Sequence, residues 1–269
     1  MAENAEGIKA GIFIQVRMKS TRLPKKAMIE IQGKTVIEHL LERVKTAKMP
    51  NVIIVCTSTH PDDAILIDVA KKVGVKWFAG SEEDVMERFL GAAKQERVDI
   101  IVRVTGDCPL IDPEYIDKAI AHLITIHADY ARVVGMPIGT GCEVFSTKAL
   151  EKAHTYAIDP NYSEYMSSYF LNNPEVFHID EIQCDGSVKG PDYRLTVDEI
   201  ADIELMKEIY QRLYQGGRIF SLKEVIELLD SNSNLVELNK QVKLKYRDDK
   251  ALLALLREKT RLRHDVKCV

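Results

Sequence analysis

An α/β fold with a mostly parallel sheet covered on both faces by helices is what this sequence predicts, on three observations. Its short apolar stretches are apolar throughout, without the in–out alternation of a half-exposed sheet. Amphipathic stretches of helical period alternate with them. Apolar residues make up 46% of the 269, enough for a substantial core. Strands buried on both faces and joined by helices are the mark of parallel sheets.

In chain order, Ile12–Val16 is the first strand, and helical period returns across Thr35–Thr46. A second strand at Val52–Thr57 leads past His60-Pro61 to a helix at Asp62–Val73. Val75–Phe78 is followed by a helix from Glu82 to Gln95, with Ser81 as its expected cap over an acidic first turn. Asp99–Val104 ends at Gly106-Asp107, and Asp112-Pro113 opens a helix to Ile126 as cap and first-turn proline. Beyond it, strands are expected at Asp129–Val134, Cys142–Ser146, Val176–Ile182 and Tyr193–Thr196. Helices are expected at Thr147–Thr155, Tyr162–Leu171, Ile200–Tyr214, Leu222–Leu229 and Asp248–Arg263. The organisation read from this is a disordered leader (1–9), one catalytic-type domain (10–231) with a mixed-strand insertion at about 130–190, and a helical tail (232–269).

Charged residues make up 29% and the net charge is −4, which argues against a nucleic-acid-binding surface. No apolar run approaches the length of a membrane helix, and the polar, acidic first residues do not read as a signal peptide. Five widely spaced cysteines form no C-x-x-C pair, so reduced thiols and a cytoplasmic location are expected. Neither the P-loop nor the dinucleotide glycine pattern occurs after a strand.

Against this acidic background, Arg17, Lys19, Arg22, Lys25 and Lys26 crowd the loop that follows the first strand, together with Ser20, Thr21 and Pro24. Such cations repel one another unless an anion or solvent lies between them, and the carboxyl end of an α/β strand is where ligands bind. A polyphosphate fits. Asp107, at the end of a buried strand, and Asp198, in Tyr193–Glu199, are each explicable alone as a turn or cap residue. Together, facing a cationic loop, they suit a hard divalent cation bridging to phosphates. Ser81 reads first as a helix cap, and its position at a strand's carboxyl end is what offers it as a nucleotide contact. His154 and His178 lie in the insertion, where they could face an acceptor.

The run Arg17-Met18-Lys19-Ser20-Thr21-Arg22-Leu23-Pro24-Lys25-Lys26, followed by Ile31-Gln32-Gly33-Lys34-Thr35, resembles the opening of sugar-acid cytidylyltransferases. These include the synthetases of CMP-3-deoxy-manno-octulosonate and CMP-sialic acid. Within them the likeness is strongest to the branch called spore coat polysaccharide biosynthesis protein F, through the Gly106-Asp107, Gly141–Ser146 and Arg194–Asp198 segments. The resemblance, over about residues 10–230, implies a Rossmann-like GT-A nucleotidyltransferase fold, CTP as nucleotide and Mg²⁺ as cofactor. It implies that Arg17 and Lys26 contact the triphosphate, that Asp107 and Asp198 hold the metal, that Arg22 shapes the loop or meets an anionic group, and that Ser81 lies near ribose or base. Ser20 and Asp107 complete the expected nucleotide-binding set. Departures are Gln15-Val16 where the octulosonate and sialate enzymes carry Pro-Ala, Lys25 in place of Gly, Thr105 in place of Gln, and Cys108 in place of an acidic residue.

The implied activity is transfer of CMP to a sugar acid or related anionic small molecule with release of pyrophosphate, in surface glycan precursor synthesis. Two alternatives stay open at this point: a GT-A glycosyltransferase using a nucleotide sugar, and a non-catalytic nucleotide-binding subunit. The insertion is rich in tyrosines (Tyr130, Tyr156, Tyr162, Tyr165, Tyr169), aromatics are enriched at interface cores, and the resembling families are commonly dimers, so a homodimer is expected.

Overall fold

A computed structural model describes residues 7–190 and 192–263. The expected leader therefore falls mostly outside the described residues. Strand β1 (Ala10–Gln15) is followed by a two-residue ribbon, β2 (Glu30–Ile31) and β3 (Lys34–Thr35), and by helix α1 (Val36–Val44). Then come β4 (Val52–Ser58), α2 (Ala64–Val73), β5 (Lys76–Gly80), α3 (Val85–Glu96), β6 (Ile100–Thr105) and α4 (Pro113–Ile126). The less regular half supplies β7 (Tyr130–Val134), β8 (Glu143–Ser146), α5 (Thr147–Tyr156), α6 (Met166–Leu171) and β9 (Ile179–Gln183). Helices α7 (Ile200–Leu213), α8 (Leu222–Asp230), α9 (Ser233–Glu237), α10 (Lys245–Asp248) and α11 (Lys250–Lys259) follow.

Among the described residues the main sheet has seven strands in the order β5-β4-β1-β6-β8-β7-β9. β5, β4, β1 and β6 are mutually parallel, while β8 runs antiparallel to both its neighbours, and β9 pairs parallel with β7. The expected parallel sheet with a mixed-strand insertion is thus present. The central strand shows why its sequence is apolar at every position. Ile12 and Ile14 pack on one face with Ile37 and Leu41 of α1, Leu66 of α2 and Ile116 and Ile120 of α4. Phe13, pointing the other way, packs with Met86 and Phe89 of α3 and with Tyr130, Phe145 and Phe170. A third cluster joins α7 and α8 to Ile31, Val36, Leu195 and Val197, and so fixes the segment that precedes α7.

Local caps set the helix starts. Thr35 and Glu38 form a reciprocal capping box on α1, and Asp112 accepts from the Glu114 and Tyr115 amides beneath Pro113. For α3 the expected boundary shifts. Asp84, not Ser81, is the cap, accepting from Glu87 N at 3.0 Å, so the acidic residues precede the helix and do not form its first turn.

Other expectations are corrected. Tyr193–Thr196 is not a strand; it makes a single bridge from Arg194 to Ile138, after which Val197 N donates to the Asp107 carbonyl at 2.8 Å. Its backbone is shared between two loops, so no ladder forms. The stretch 162–171 divides into a 3-10 turn (Pro160–Tyr165) and α6, because Asp159 caps the turn and Tyr165 leaves helical geometry. Val176 and Phe177 fold back in a turn on the Asn173 carbonyl, and β9 starts only at Ile179. The tail helix breaks before Lys250, where Asp249 caps a new start, and ends at Lys259. Tyr130 and Tyr169 are fully buried inside the chain, so they belong to the core and offer nothing to an interface.

The Arg194–Ile138 bridge depends on Gly139, which sits at φ 88°. A Cβ there would lie 2.7 Å from the Leu195 carbonyl oxygen. Gly139→Ala is expected to cost on the order of 2–3 kcal/mol through strain and overpacking, read as a lower urea midpoint; an unchanged midpoint would contradict this chain path.

Candidate active site

The cationic loop leaves the carboxyl end of β1 and is pinned by an acid that sequence reasoning missed. Buried Asp63 accepts from Met18 N at 2.7 Å, and from the Ser58 amide and hydroxyl at 3.2 and 2.5 Å. The only sequence signal was its place at a helix start after His60-Pro61, which pointed to a cap and gave no hint of the distant loop. Within the loop, the Ser20 hydroxyl accepts from Leu23 N at 3.4 Å, and Lys25 N donates to the Met18 carbonyl at 3.2 Å. Lys25 itself is left-handed, at φ 58°. Glycine takes that conformation without a Cβ penalty, which accounts physically for the glycine expected there from the resemblance. The turn aims the next side chain, Lys26, inward.

Lys26 Nζ lies 2.5 Å from Asp107 Oδ2 and 2.7 Å from Asp198 Oδ1. Arg22 Nη2 reaches the same Asp198 oxygen at 2.7 Å. Behind them, Arg194 Nη2 holds the other Asp198 oxygen at 2.8 Å, and Arg194 Nε holds Asp202 Oδ1 at 2.8 Å. The cluster runs from interior to solvent: the Asp202 side chain is fully buried, Lys26 is 17% exposed and Arg22 36%. Arg22, Lys26 and Arg194 thus offset Asp107, Asp198 and Asp202. Arg194 and Asp202 were not singled out individually, because an acid in the first turn of a helix reads as a dipole partner.

Burial pulls the Lys26 ammonium down, but the two carboxylates outweigh it and its pKa is raised. Burial pushes Asp107 up, and Lys26 more than reverses this, so the carboxyl lies below its usual range. Cys108 is buried beside them, with Sγ 3.1 Å from Thr105 Oγ1 and 3.5 Å from Asp107 Oδ1. Burial, and then Asp107, push its thiol up to about 12, so this position adds no third negative charge.

Two acids from separate segments that converge on one nitrogen form a donor set suited to a hard cation. No group of three or more metal-ligating side chains exists among the described residues. Two carboxylates leave most of a divalent cation's coordination to phosphate oxygens and water.

Of the expected site residues, the structure brings together Arg22, Lys26, Asp107 and Asp198. Arg17 pairs with Glu164 of the insertion at 3.1 Å. Ser81 accepts from Asp84 N at 3.0 Å, and its carbonyl accepts from buried Arg88. Neither is joined to the Lys26 cluster by a hydrogen bond or ion pair among the described residues. His154 pairs with Asp84 at 2.7 Å, and His178 Nδ1 lies 3.3 Å from the His127 carbonyl. Gln15, where Pro is found in the resembling enzymes, accepts from Arg103 Nε at 2.8 Å; Arg103 also binds Glu143 at 2.7 Å.

The shifted pair fixes a pH dependence. Depressed Asp107 stabilises the fold above about pH 3.9 and loses that contribution as pH falls through its native value, while raised Lys26 contributes below about pH 10.4 and loses it as pH rises through its own. The stability difference between wild type and Asp107→Asn, from urea unfolding at a series of pH values, is expected to be flat from about pH 5 to 9 and to shrink below about pH 4. A difference that grows on acidification would refute the pairing.

A family model described as cytidylyltransferase matches residues 11–226. The spore coat polysaccharide biosynthesis protein SpsF of Bacillus subtilis is 31% identical, over 82% of this chain and 93% of its own. An uncharacterized protein of Methanocaldococcus jannaschii is 34% identical over 88% and 97%. Among solved structures, a cytidylyltransferase from Leptospira borgpetersenii superposes with a TM-score of 0.81 at 32% identity, over 88% of this chain and all of its own. A CMP:2-keto-3-deoxy-manno-octonic acid synthetase complexed with CTP shares the fold, with a TM-score of 0.59 at 18% identity over 76% and 99%. Among the described residues no helix is long and apolar enough to cross a membrane. The chain belongs to the cytidylyltransferase family, and it is a nucleotidyltransferase enzyme by that membership.

Proposed function

We propose that the protein is a Mg²⁺-dependent cytidylyltransferase that moves CMP from CTP to a sugar acid or related anionic acceptor and releases pyrophosphate. It would act in the cytoplasm, as a homodimer, in the supply of activated sugars for surface glycans. The observation that carries this reading is the convergence of Asp107 and Asp198 on Lys26, with Arg22 at the same carboxylate. The printed name of the Bacillus subtilis relative places that protein in polysaccharide biosynthesis, and the octonic acid synthetase is one complexed with CTP. Both support the reading.

In the proposed reaction an acceptor oxygen attacks the α-phosphorus of CTP, the bond from that phosphorus to the bridging oxygen breaks, and its electrons leave with pyrophosphate. Asp107 and Asp198 would hold the magnesium ion, whose contribution when bound would be Lewis-acid polarisation of the phosphoryl oxygens. Lys26 exchanges its carboxylate partners for phosphate oxygens, and with Arg22 and Arg17 offsets the charge that builds on the leaving group; such preorganised electrostatics are the main term in this chemistry. A hydroxyl acceptor would release its proton to solvent, and an acceptor already ionised needs no base. Cys108 cannot serve as one, with its thiol held neutral by burial and by Asp107.

Purified Asp107→Asn and Asp198→Asn are expected to keep their far-UV circular dichroism and to lose pyrophosphate release from CTP with an acceptor. Lys26→Ala is expected to lose on the order of 10²-fold in kcat, the size of one transition-state donor. Normal turnover in Asp107→Asn would refute the assignment. A pyrophosphate-release screen of four nucleoside triphosphates against sugar acids and phosphorylated acceptors tests base and acceptor together; release with another triphosphate alone would overturn CTP.

A further inference from the structure

We infer that Asn239, in the C-terminal tail, is a positioning residue for the metal-binding carboxylate Asp198, and that the tail is thereby part of the active site. This rests on the metal role proposed above for Asp198. Asn239 lies beyond the stretch matched by the family model, residues 11–226. It is buried, and its side-chain amide donates to Asp202 Oδ1 and to the Arg194 carbonyl, both at 2.9 Å. Both N–H donors of the amide are therefore spent on the two residues that hold Asp198.

The chain of support is short. Asp202 Oδ2 accepts from the backbone amides of Asp198 and Glu199 at 2.8 and 2.9 Å, and from Arg194 Nη2 at 3.1 Å. Its Oδ1 accepts from Arg194 Nε and from Asn239. Asp202 thus sets both the backbone of Asp198 and, through Arg194 Nη2 on Asp198 Oδ2, the rotation of its carboxylate. That leaves Oδ1 as the oxygen turned toward Lys26 and Arg22.

Asp202 is completely buried, so each oxygen depends on the donors the chain supplies, and losing one leaves a buried acceptor short. Asn239 is the neutral member of the group. A lysine there would add a charge to a balanced cluster, and an aspartate could donate to neither partner. The tail is anchored on both sides of this contact: Leu235 and Leu244 are buried, and farther on Asn172 and Asn173 bind Thr260 and Leu262.

The test is direct binding of Mn²⁺ in the presence of CTP, followed by electron paramagnetic resonance, on the full chain. Asn239→Ala and isosteric Asn239→Asp are expected to weaken Mn²⁺ binding about 10- to 100-fold, the usual effect of losing a partner behind a metal ligand. The KM for CTP at saturating metal should change little by comparison. Thr260→Ala is the control, since it loosens the tail where it meets α6 and touches neither Asp202 nor Arg194. It should lower the melting temperature and leave Mn²⁺ affinity at the wild-type value. Wild-type affinity in a folded Asn239→Asp overturns the inference. An equal loss of Mn²⁺ affinity in Thr260→Ala also overturns it, because general loosening would then suffice. Absence of Mn²⁺ binding by the wild type would defeat the metal assignment itself, which separates the two failures.

Discussion

Two carboxylates that must stand close together in a poorly solvated place are the constraint around which this structure is arranged. Asp107 and Asp198 both lie within hydrogen-bond reach of one ammonium nitrogen, so in its absence they would repel at short range in a poorly solvated place. Lys26 relieves that repulsion from the solvent side, and Arg194 holds Asp198 from behind. The two roles differ because their surroundings differ. Arg194 is locked between buried acids, and moving it would strand a charge, at a cost of about 3–5 kcal/mol. Lys26 hangs from a loop, and in the reaction proposed above it would turn to the arriving polyanion while a cation takes its place between the acids.

The fold serves this arrangement in concrete ways. β1 and β6 are adjacent and parallel, so the loop after Gln15 and the turn after Thr105 emerge side by side. The turn is held close: Gly106 N donates to the Gln15 carbonyl at 2.9 Å, and a Cβ on Gly106 would lie 2.6 Å from Val16. Only glycine allows Asp107 to rise this near the loop. Asp198 comes from the opposite direction, on a segment tied to Asp107 by the Val197 amide and pinned beneath α7 by Leu195 and Val197.

Much of this was legible from residues alone. The period of the apolar stretches gave the strands and helices of the first half, since both sheet faces are covered there and periodicity reports burial directly. The crowded cations and the two acids pointed to the cluster of Arg22, Lys26, Asp107 and Asp198, because charges of opposite sign are concentrated where an α/β sheet exposes its loops. The supporting residues were not legible. Asp63 and Asn239 act on residues 45 positions away, Asp202 acts locally on Asp198 but stands where any helix-start acid would, and nothing in their neighbourhoods distinguishes them from ordinary caps or loop residues. Ser81 shows the converse: its place after a strand suggested a ligand contact, while its hydroxyl is engaged in the turn before α3. Tyr193–Thr196 looked like a strand because its side chains are buried like one, although its hydrogen bonds go to two loops.

The departures from the resembling enzymes have a physical pattern of their own. Cys108 keeps neutral a position that carries an acid elsewhere, so Asp107 faces Lys26 without a third negative neighbour. Gln15 orients Arg103, whose charge is met by Glu143 on the antiparallel strand β8, and Glu143 is held in turn by the Tyr130 hydroxyl at 2.9 Å. Arg103 Nη2 also approaches the carbonyl of Glu164, the residue that pairs with Arg17. A continuous polar path therefore links the end of β1, through β6 and β8, to the insertion and back to the cationic loop. These changes leave Lys26, Asp107 and Asp198 untouched while altering the wall beside them. In the reaction proposed above, phosphate chemistry would demand the charges that stayed, whereas the shape and polarity of the neighbouring polar network would be free to follow whatever molecule supplies the attacking oxygen.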